Sequence, residues 1–399
     1  MPPPMQGMTY TAAVAALLAF ASAAGPAELS WKRLSTKTGD IPAPGPSAQQ
    51  TGAMVGDLDK DGVNDFVITA RHEAPAISWY RRTNSGWAKY VVEDQLVPIE
   101  AGGTLADVDG DGDLDIIAGA DYSDNHVWWW ENPYPDFDPK KPWKRHVIKA
   151  DGKGQHHDTI VGDFEGAGKP ELAFWNQGAL KLFLAKFPSD PRQKEPWPYR
   201  EIFTAASMSE GLARIDVDGD GVEDIVGGGR WFHHNRDGTF ASHVIDDTQR
   251  NTRAAAGQLK KGGWPQVVFV SGDGIGRLKW YEHVNGEWIG HDLLGHDVIH
   301  GHSLQIADID GDGNLDIFCA EMGKWTEKAA EPDNPHPRMW IFLGDGQGNF
   351  RKIEYEGPGN HESKVADLDG DGRIDILIKP YNWDAPRVDV WLNQPGVRR

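Results

Sequence analysis

Residues 107–117 read DVDGDGDLDII, and the pattern returns along the whole chain. Asp57 opens DLDKDGVNDFV, Asp216 opens DVDGDGVEDIV, Asp308 opens DIDGDGNLDIF and Asp367 opens DLDGDGRIDIL. Two eroded copies fill the gaps, DFEGAGKPELAF from Asp163 and QLKKGGWPQVVF from Gln258. The seven copies follow one another at steps of 50, 56, 53, 42, 50 and 59 residues. Self-similarity at such a period marks a solenoid, a propeller or an array.

One repeat decides among these. Ala53–Asp57 reads as a short strand (A), Asp57–Asp65 as a loop, Phe66–Arg71 as strand B and Ile77–Arg82 as strand C. Thr83-Asn84-Ser85-Gly86 is a hairpin turn into strand D, Trp87–Val92. Four short antiparallel strands make a propeller blade. The C strands recur at 127–131, 180–185, 230–234, 278–282, 339–343 and 388–392. The last repeat reaches Arg399 without a D strand, while Ser30-Trp31-Lys32-Arg33-Leu34 resembles the D-strand sequence Trp143-Lys144-Arg145-His146-Val147. The fold class expected is therefore all-β, a seven-bladed β-propeller whose N-terminal strand completes the last blade and leaves few open edges. Most of the 17 Trp fall on C strands or D-strand starts, where they are expected to pack between blades.

Within DxDxDGxxD, positions 1, 3, 5 and 9 supply carboxylates and position 7 a backbone carbonyl. These hard oxygen donors suit Ca²⁺ and disfavour soft metals, and the glycine at position 6 permits the sharp turn. Five structural Ca²⁺ sites are expected. Their ligands are Asp57, Asp59, Asp61 and Asp65; Asp107, Asp109, Asp111 and Asp115; Asp216, Asp218, Asp220 and Asp224; Asp308, Asp310, Asp312 and Asp316; and Asp367, Asp369, Asp371 and Asp375. An EF-hand is excluded, because no intact copy has Glu at position 12 and strands flank the loop. The competing reading is a plain Asx-rich turn. The third copy keeps Asp163, Glu165 and Glu171 but has Ala167; the fifth, with Gln258, Lys260 and Gly262, is expected to be empty, its lysine standing in for the ion's charge.

Composition agrees with an exported, metal-braced domain. The chain has 399 residues, 39% of them hydrophobic, a net charge of -20 and one cysteine, Cys319. Five bound dications would bring that charge to about -10. A polyanion is a poor partner for nucleic acid or an anionic membrane, and a single cysteine gives no disulfide framework. Residues 11–24, TAAVAALLAFASAA, with Ala21-Ser22-Ala23 as a cleavage site, read as a secretory signal over residues 1–23. The apolar run is too short to span a bilayer. A single propeller domain over residues 28–399, secreted or periplasmic and monomeric, is expected.

Strand direction sorts the loops. Strand A carries the chain from one face to the other, so the acidic turns lie together on the far face. The D-to-A and B-to-C loops share the near face, around the mouth of the central channel. Just before the A strands stand Glu100, His156 and His157, Glu210, Arg253, His300 and His302, His361 and Glu362. The B-to-C loops add Arg71 and His72, Trp175, Arg230, Asp273, Trp325, Tyr381 and Trp383. Imidazoles suit proton transfer near neutral pH; Arg71, Arg230 and Arg253 suit a carboxylate; Trp175, Trp325, Tyr381 and Trp383 offer flat faces to sugar rings. An acidic oligo- or polysaccharide is the expected partner, with Glu100 and Glu210 among its contacts. The kit fits β-elimination from a uronate, in which charge grows on the carboxylate as the proton leaves. Hydrolysis by a carboxylate pair and isomerisation remain open, as does a non-catalytic glycan- or protein-binding propeller.

The acidic loops and their spacing resemble the FG-GAP/VCBS repeat family, whose blades occur in integrin heads and in secreted propeller enzymes. The near-face arrangement, with ARHEAP at 70–75, resembles secreted seven-bladed lyases that remove terminal rhamnose from glucuronate, and the propeller part of fungal aldos-2-ulose dehydratases. That resemblance implies a channel site with a histidine acid/base and arginine contacts to the substrate carboxylate. It carries the acid/base role to His72, with His157, His302 and His361 as rivals.

Overall fold

A computed structural model describes residues 29–326 and 328–395; the secretory signal read at 1–23 lies outside them. Among the described residues there are strands and turns and no helix, and hence none long and apolar enough to cross a membrane. The strands form seven four-stranded antiparallel sheets. In blade 1 the order is Gln50–Gly56, Asp65–Ala70, Ile77–Thr83 and Gly86–Glu93, strands A to D. Blade 2 runs from Thr104–Ala106 to Lys144–Lys149, blade 3 from Thr159–Gly162 to Tyr199–Thr204, and blade 4 from Ala213–Ile215 to Phe240–Val244. Blade 5 runs from Thr252–Gly257 to Glu287–Ile299 and blade 6 from Ser303–Ala307 to Phe350–Glu356. Blade 7 holds Lys364–Ala366, Asp375–Ile378 and Asp389–Gln394, and its outer strand is Ser30–Ser35. Each A strand contacts the A strands of both neighbours, blade 7 against blade 1 included, so the ring is closed.

The sequence explains the layering. Strand B is apolar on both faces (Asp65–Ala70 and Asp115–Gly119 are buried throughout) because each face meets another blade. Seven apolar clusters result, one per interface between blades. Trp79, Trp130 and Trp143 fill the first, Trp129 and Trp197 the second, and Trp340 the one between blades 5 and 6. The Thr83 to Gly86 pairing confirms the two-residue hairpin.

Ring closure rests on the register Ser30↔Gln394 through Ser35↔Asp389. Trp31 anchors it, packing against Trp391 and Tyr355 and donating its indole N–H to the Tyr355 hydroxyl at 2.9 Å. Trp31→Ala is expected to cost about 2–3 kcal/mol in urea unfolding, somewhat less than a fully buried Trp→Ala. A change below about 0.5 kcal/mol, the range of an ordinary surface substitution, would show that this strand does not hold the ring shut.

Candidate functional site at the near end of the channel

Counting back from the first position of each acidic loop gives the register of the site. Six residues before it stand Thr51, Ala101, His157, Glu210, Thr252, His302 and His361; five before it stand Gly52, Gly102, Asp158, Gly211, Arg253, Ser303 and Glu362. The second of these positions takes a left-handed backbone at Gly102, Gly211, Asp158 and Glu362, with φ of 82°, 71°, 56° and 57°. Such a conformation is unusual for a non-glycine residue and gathers where surrounding contacts hold it. At Asp158 and Glu362 it coincides with a salt bridge to one guanidinium. A Cβ on Gly102 would collide with the Asp158 carboxylate, so glycine there makes room for the cluster.

That guanidinium belongs to Arg253. Its two terminal nitrogens reach Asp158 Oδ2 and Glu362 Oε1, each at 2.6 Å. Asp158 also accepts from the Gly211 amide at 2.8 Å and faces His157 Nδ1 at 2.6 Å. On its other side His157 Nε2 lies 3.4 Å from Glu210 Oε2, and His302 Nε2 lies 3.1 Å from the same oxygen. His302 Nε2 is 3.6 Å from Asp273 Oδ1, and its Nδ1 is 3.5 Å from Glu362 Oε1. The ring of His302 stacks on His361 at 4.1 Å, and His361 on Tyr381 at 4.5 Å. Lys379 Nζ completes the row, 3.2 Å from His361 Nδ1 and bonded to the Gln50 carbonyl.

Burial sets the electrostatics. Desolvation opposes a proton on His157, but Asp158 and then Glu210 outweigh it and raise its pKa to about 8. His302 is raised further, to about 10, because Glu210 and Glu362 overcome the same penalty. Glu210 is drawn down to about 2: burial works against its charge, and His302, then His157, prevail. His361 goes the other way. Burial, then the charges of His302 and Lys379, hold it well below the ordinary imidazole range.

The structure brings His157, His302, His361, Glu210, Arg253 and Tyr381 together, with Arg71 and Glu100 beside them, and separates His72, Arg230 and Trp175 from them. His72 is exposed, and no hydrogen bond or ion pair joins it to the cluster. Arg71 and Glu100 are buried and paired with each other, with Asp121 3.7 Å from the guanidinium. Arg230 sits away from the channel, its guanidinium near the Phe203 ring and 3.2 Å from Asp247. Trp175 is core: it packs on Phe232 between blades 3 and 4 and donates to the Gly211 carbonyl at 3.2 Å. Its position on strand B, a layer buried on both faces, is the reason. Trp325 and Trp383 do stand at the near face, 46% and 38% exposed. Leu96, Tyr122, Met208 and Ile275, also exposed, lie on the near-face loops and strand ends as well. Apolar and aromatic side chains are thus exposed on the near face. Asp158 was overlooked in the sequence, although it follows His156-His157 directly.

On the far face the acidic loops fold as the spacing suggests. In the first, Asp57 accepts from the amides of Asp61 and Gly62 at 3.1 and 2.9 Å. The ninth carboxylate also ties the loop to strand C: Asp115 accepts from Val108 and Asn132, Asp316 from Ile309 and Gly344, Asp375 from Leu368 and Asn393. Oxygens of Asp57, Asp59 and Asp61, of Asp107, Asp109 and Asp115, and of Asp216, Asp218 and Asp220 converge within 4.8 Å. Asp310 Oδ1 and Asp369 Oδ1 are buried without a hydrogen-bond partner. Burial raises both carboxyls, and Asp312 and Asp371 raise them further. Oxygen-only donors, a strained excess of negative charge and orphaned oxygens are what a hard dication relieves. The eroded loops solve the problem otherwise. Glu165 pairs with Lys186 and with Arg200, the latter at 3.0 Å. In the fifth loop Gln258 donates to the carbonyls of Lys260 and Gly262, while Lys260 reaches out to Glu282 at 2.6 Å. The side-chain amide of Gln258, and not the lysine, therefore takes the place at the loop's centre.

Fold and site together define a seven-bladed β-propeller with a polar cluster at one end of its channel. Residues 107–174 match the FG-GAP-like repeat. The chain is 22% identical to human cartilage acidic protein 1 over 88% of its own length, and spans 59% of that protein. Among solved structures it is similar to BBS1N in complex with ARL6DN, at 12% identity and a TM-score of 0.55, covering 91% of this chain and 97% of that one. It is also similar to an Agrocybe aegerita lectin described as recognising non-reducing terminal N-acetylglucosamine, at 16% identity and a TM-score of 0.50, covering 79% of this chain and 80% of that one. At these identities the likeness shows the fold.

Proposed function

We infer that the protein is a secreted, calcium-braced propeller that acts on a uronate-containing glycan at the near-face mouth, as a lyase. The observation that carries this is the convergence of three imidazoles, from blades 3, 6 and 7, beneath a rim bearing Trp325 and Trp383. His157 and His302 face carboxylates, whereas His361 makes no ion pair with one among the described residues. His361 is therefore the base. It takes the proton beside the uronate carboxylate, the electron pair closes the C=C bond, and the β-oxygen leaves with a proton from an acid. Asp57, Asp107, Asp216, Asp308 and Asp367, with the other carboxylates of their loops, would hold Ca²⁺, which neutralises the far face and fixes the loops. The apolar leader at residues 11–24 supports export.

The expected result is growth of unsaturated-uronate absorbance on a panel of acidic glycans, including rhamnosyl-glucuronate ends, with His361→Ala about 10²–10⁴-fold slower. No signal on any uronic glycan would remove this reading. One observation favours a second, purely binding role. Arg71 and Arg253, the guanidiniums nearest the channel, are each already committed to two carboxylates and hold no free fork for a substrate. In that case His361→Ala alters glycan affinity and no product forms with any variant.

A further inference from the structure

The cluster at the channel mouth has the composition and spacing of a metal centre that differs in kind from the far-face loops. Ligand atoms of His157, Glu210, Asp273 and His302 all lie within 4.8 Å of one another. The separations around Glu210 Oε2 and His302 Nε2 are 3.1, 3.4 and 3.6 Å. Four ligands each about 2.1 Å from a tetrahedral Zn²⁺ stand about 3.4 Å apart. Glu210 Oε2 and His302 Nε2 are buried and, although 3.1 Å apart, make no well-directed hydrogen bond. Glu210 is 0% and His302 1% exposed.

Charge and outer contacts agree. Asp158, Glu210, Asp273 and Glu362 face two cationic side chains, Arg253 and Lys364, the latter 2.8 Å from Glu362. The two negative charges that remain are those that one dication, taking the place of the protons on the two imidazoles, would balance. Behind the far nitrogen of His157 stands a carboxylate, Asp158, 2.6 Å from Nδ1, an arrangement that fixes the tautomer and orientation of a metal-ligating ring. Glu362 lies 3.5 Å from His302 Nδ1 without a hydrogen bond to it. Arg253 bridges the two outer carboxylates, which makes it a positioning residue. Asp273, with its side chain 30% exposed, is where the cluster meets solvent.

We propose that His157 Nε2, His302 Nε2, Glu210 and Asp273 form a site for a divalent transition metal such as Zn²⁺, at the near end of the channel. Two nitrogen donors distinguish it from the all-oxygen loops and select against Ca²⁺. The site stands whether or not the channel acts on a uronate. Where it does, the ion supplies the positive charge that the committed arginines cannot.

The test is calorimetric titration of the full-length protein with Zn²⁺, in millimolar Ca²⁺ after removal of transition metals. One tight equivalent is expected, absent from the His157→Gln/His302→Gln double variant and weakened about 10–100-fold by Asp158→Asn. His233→Gln, which removes an imidazole beside the fourth acidic loop, should leave that equivalent unchanged. No binding, an equivalent that survives the double variant, or one lost with His233 would overturn the proposal. Should the double variant not fold, anomalous scattering from wild-type crystals decides: a peak between His157 and His302 supports the site, and zinc peaks only elsewhere refute it.

Discussion

Chelation of calcium is expected to melt the ring at a much lower temperature. Each intact loop gathers four carboxylates, and its third position buries an oxygen with no hydrogen-bond partner in the sixth and seventh copies. A site filled at a hundred times its dissociation constant adds about 2.7 kcal/mol to the folded state. Five such sites give on the order of 10 kcal/mol, comparable with the whole stability of a typical domain. Scanning calorimetry with Ca²⁺ and with EGTA should therefore differ by about 15 °C, and calcium should bind with about five equivalents. Asp163→Asn should barely alter the difference, because Lys186 and Arg200 already neutralise Glu165 in that loop. A shift of no more than about 1 °C, roughly what one kcal/mol gives in a domain of this size, would mean that the aspartate turns stand without a cation.

Arg253→Met is expected to be the most damaging single substitution at the channel mouth. Arg253 is buried and holds Asp158 and Glu362 at 2.6 Å each, with Glu210 also drawing on its charge. Without it two buried carboxylates lose their common cation, and breaking a buried pair in this way costs about 3–5 kcal/mol. Arg253→Lys should recover little, since one ammonium cannot span two carboxylates as a guanidinium fork does. Equilibrium urea unfolding measures the loss, and Arg277→Met, on the half-exposed edge of the same blade, is the control, expected below about 1 kcal/mol. Equal effects at the two positions would show that the bridge contributes nothing special.

The parts of the architecture that repeat were legible in the chain. Each DxDxDGxxD fixes a turn and the strands around it, and the stray Ser30–Leu34 segment matches the strand its last blade lacks. The face carrying His157, Glu210, His302 and His361 followed from strand direction alone. What escaped was the direction of individual side chains. Trp175 and the neighbouring loop residues look alike in one dimension, yet Trp175 sits on a strand buried on both faces. Arg230 begins a C strand, one layer too far out to reach the axis. His72 follows Arg71, but Arg71 turns inward to Glu100 and His72 outward to solvent. Asp158 escaped because a left-handed backbone, which no local signal announces at a non-glycine position, turns its carboxylate onto His157 and Arg253.

A crystal of the calcium-loaded protein soaked with a glucuronate-terminated oligosaccharide probes the central claim, that the near end of the channel is where this molecule meets its ligand. Sugar density against Trp325 and Trp383, with the acidic end directed at His361 and Asp273, is the predicted result. Density confined to the outer blade edges or to the aspartate face, with the mouth empty, would contradict it.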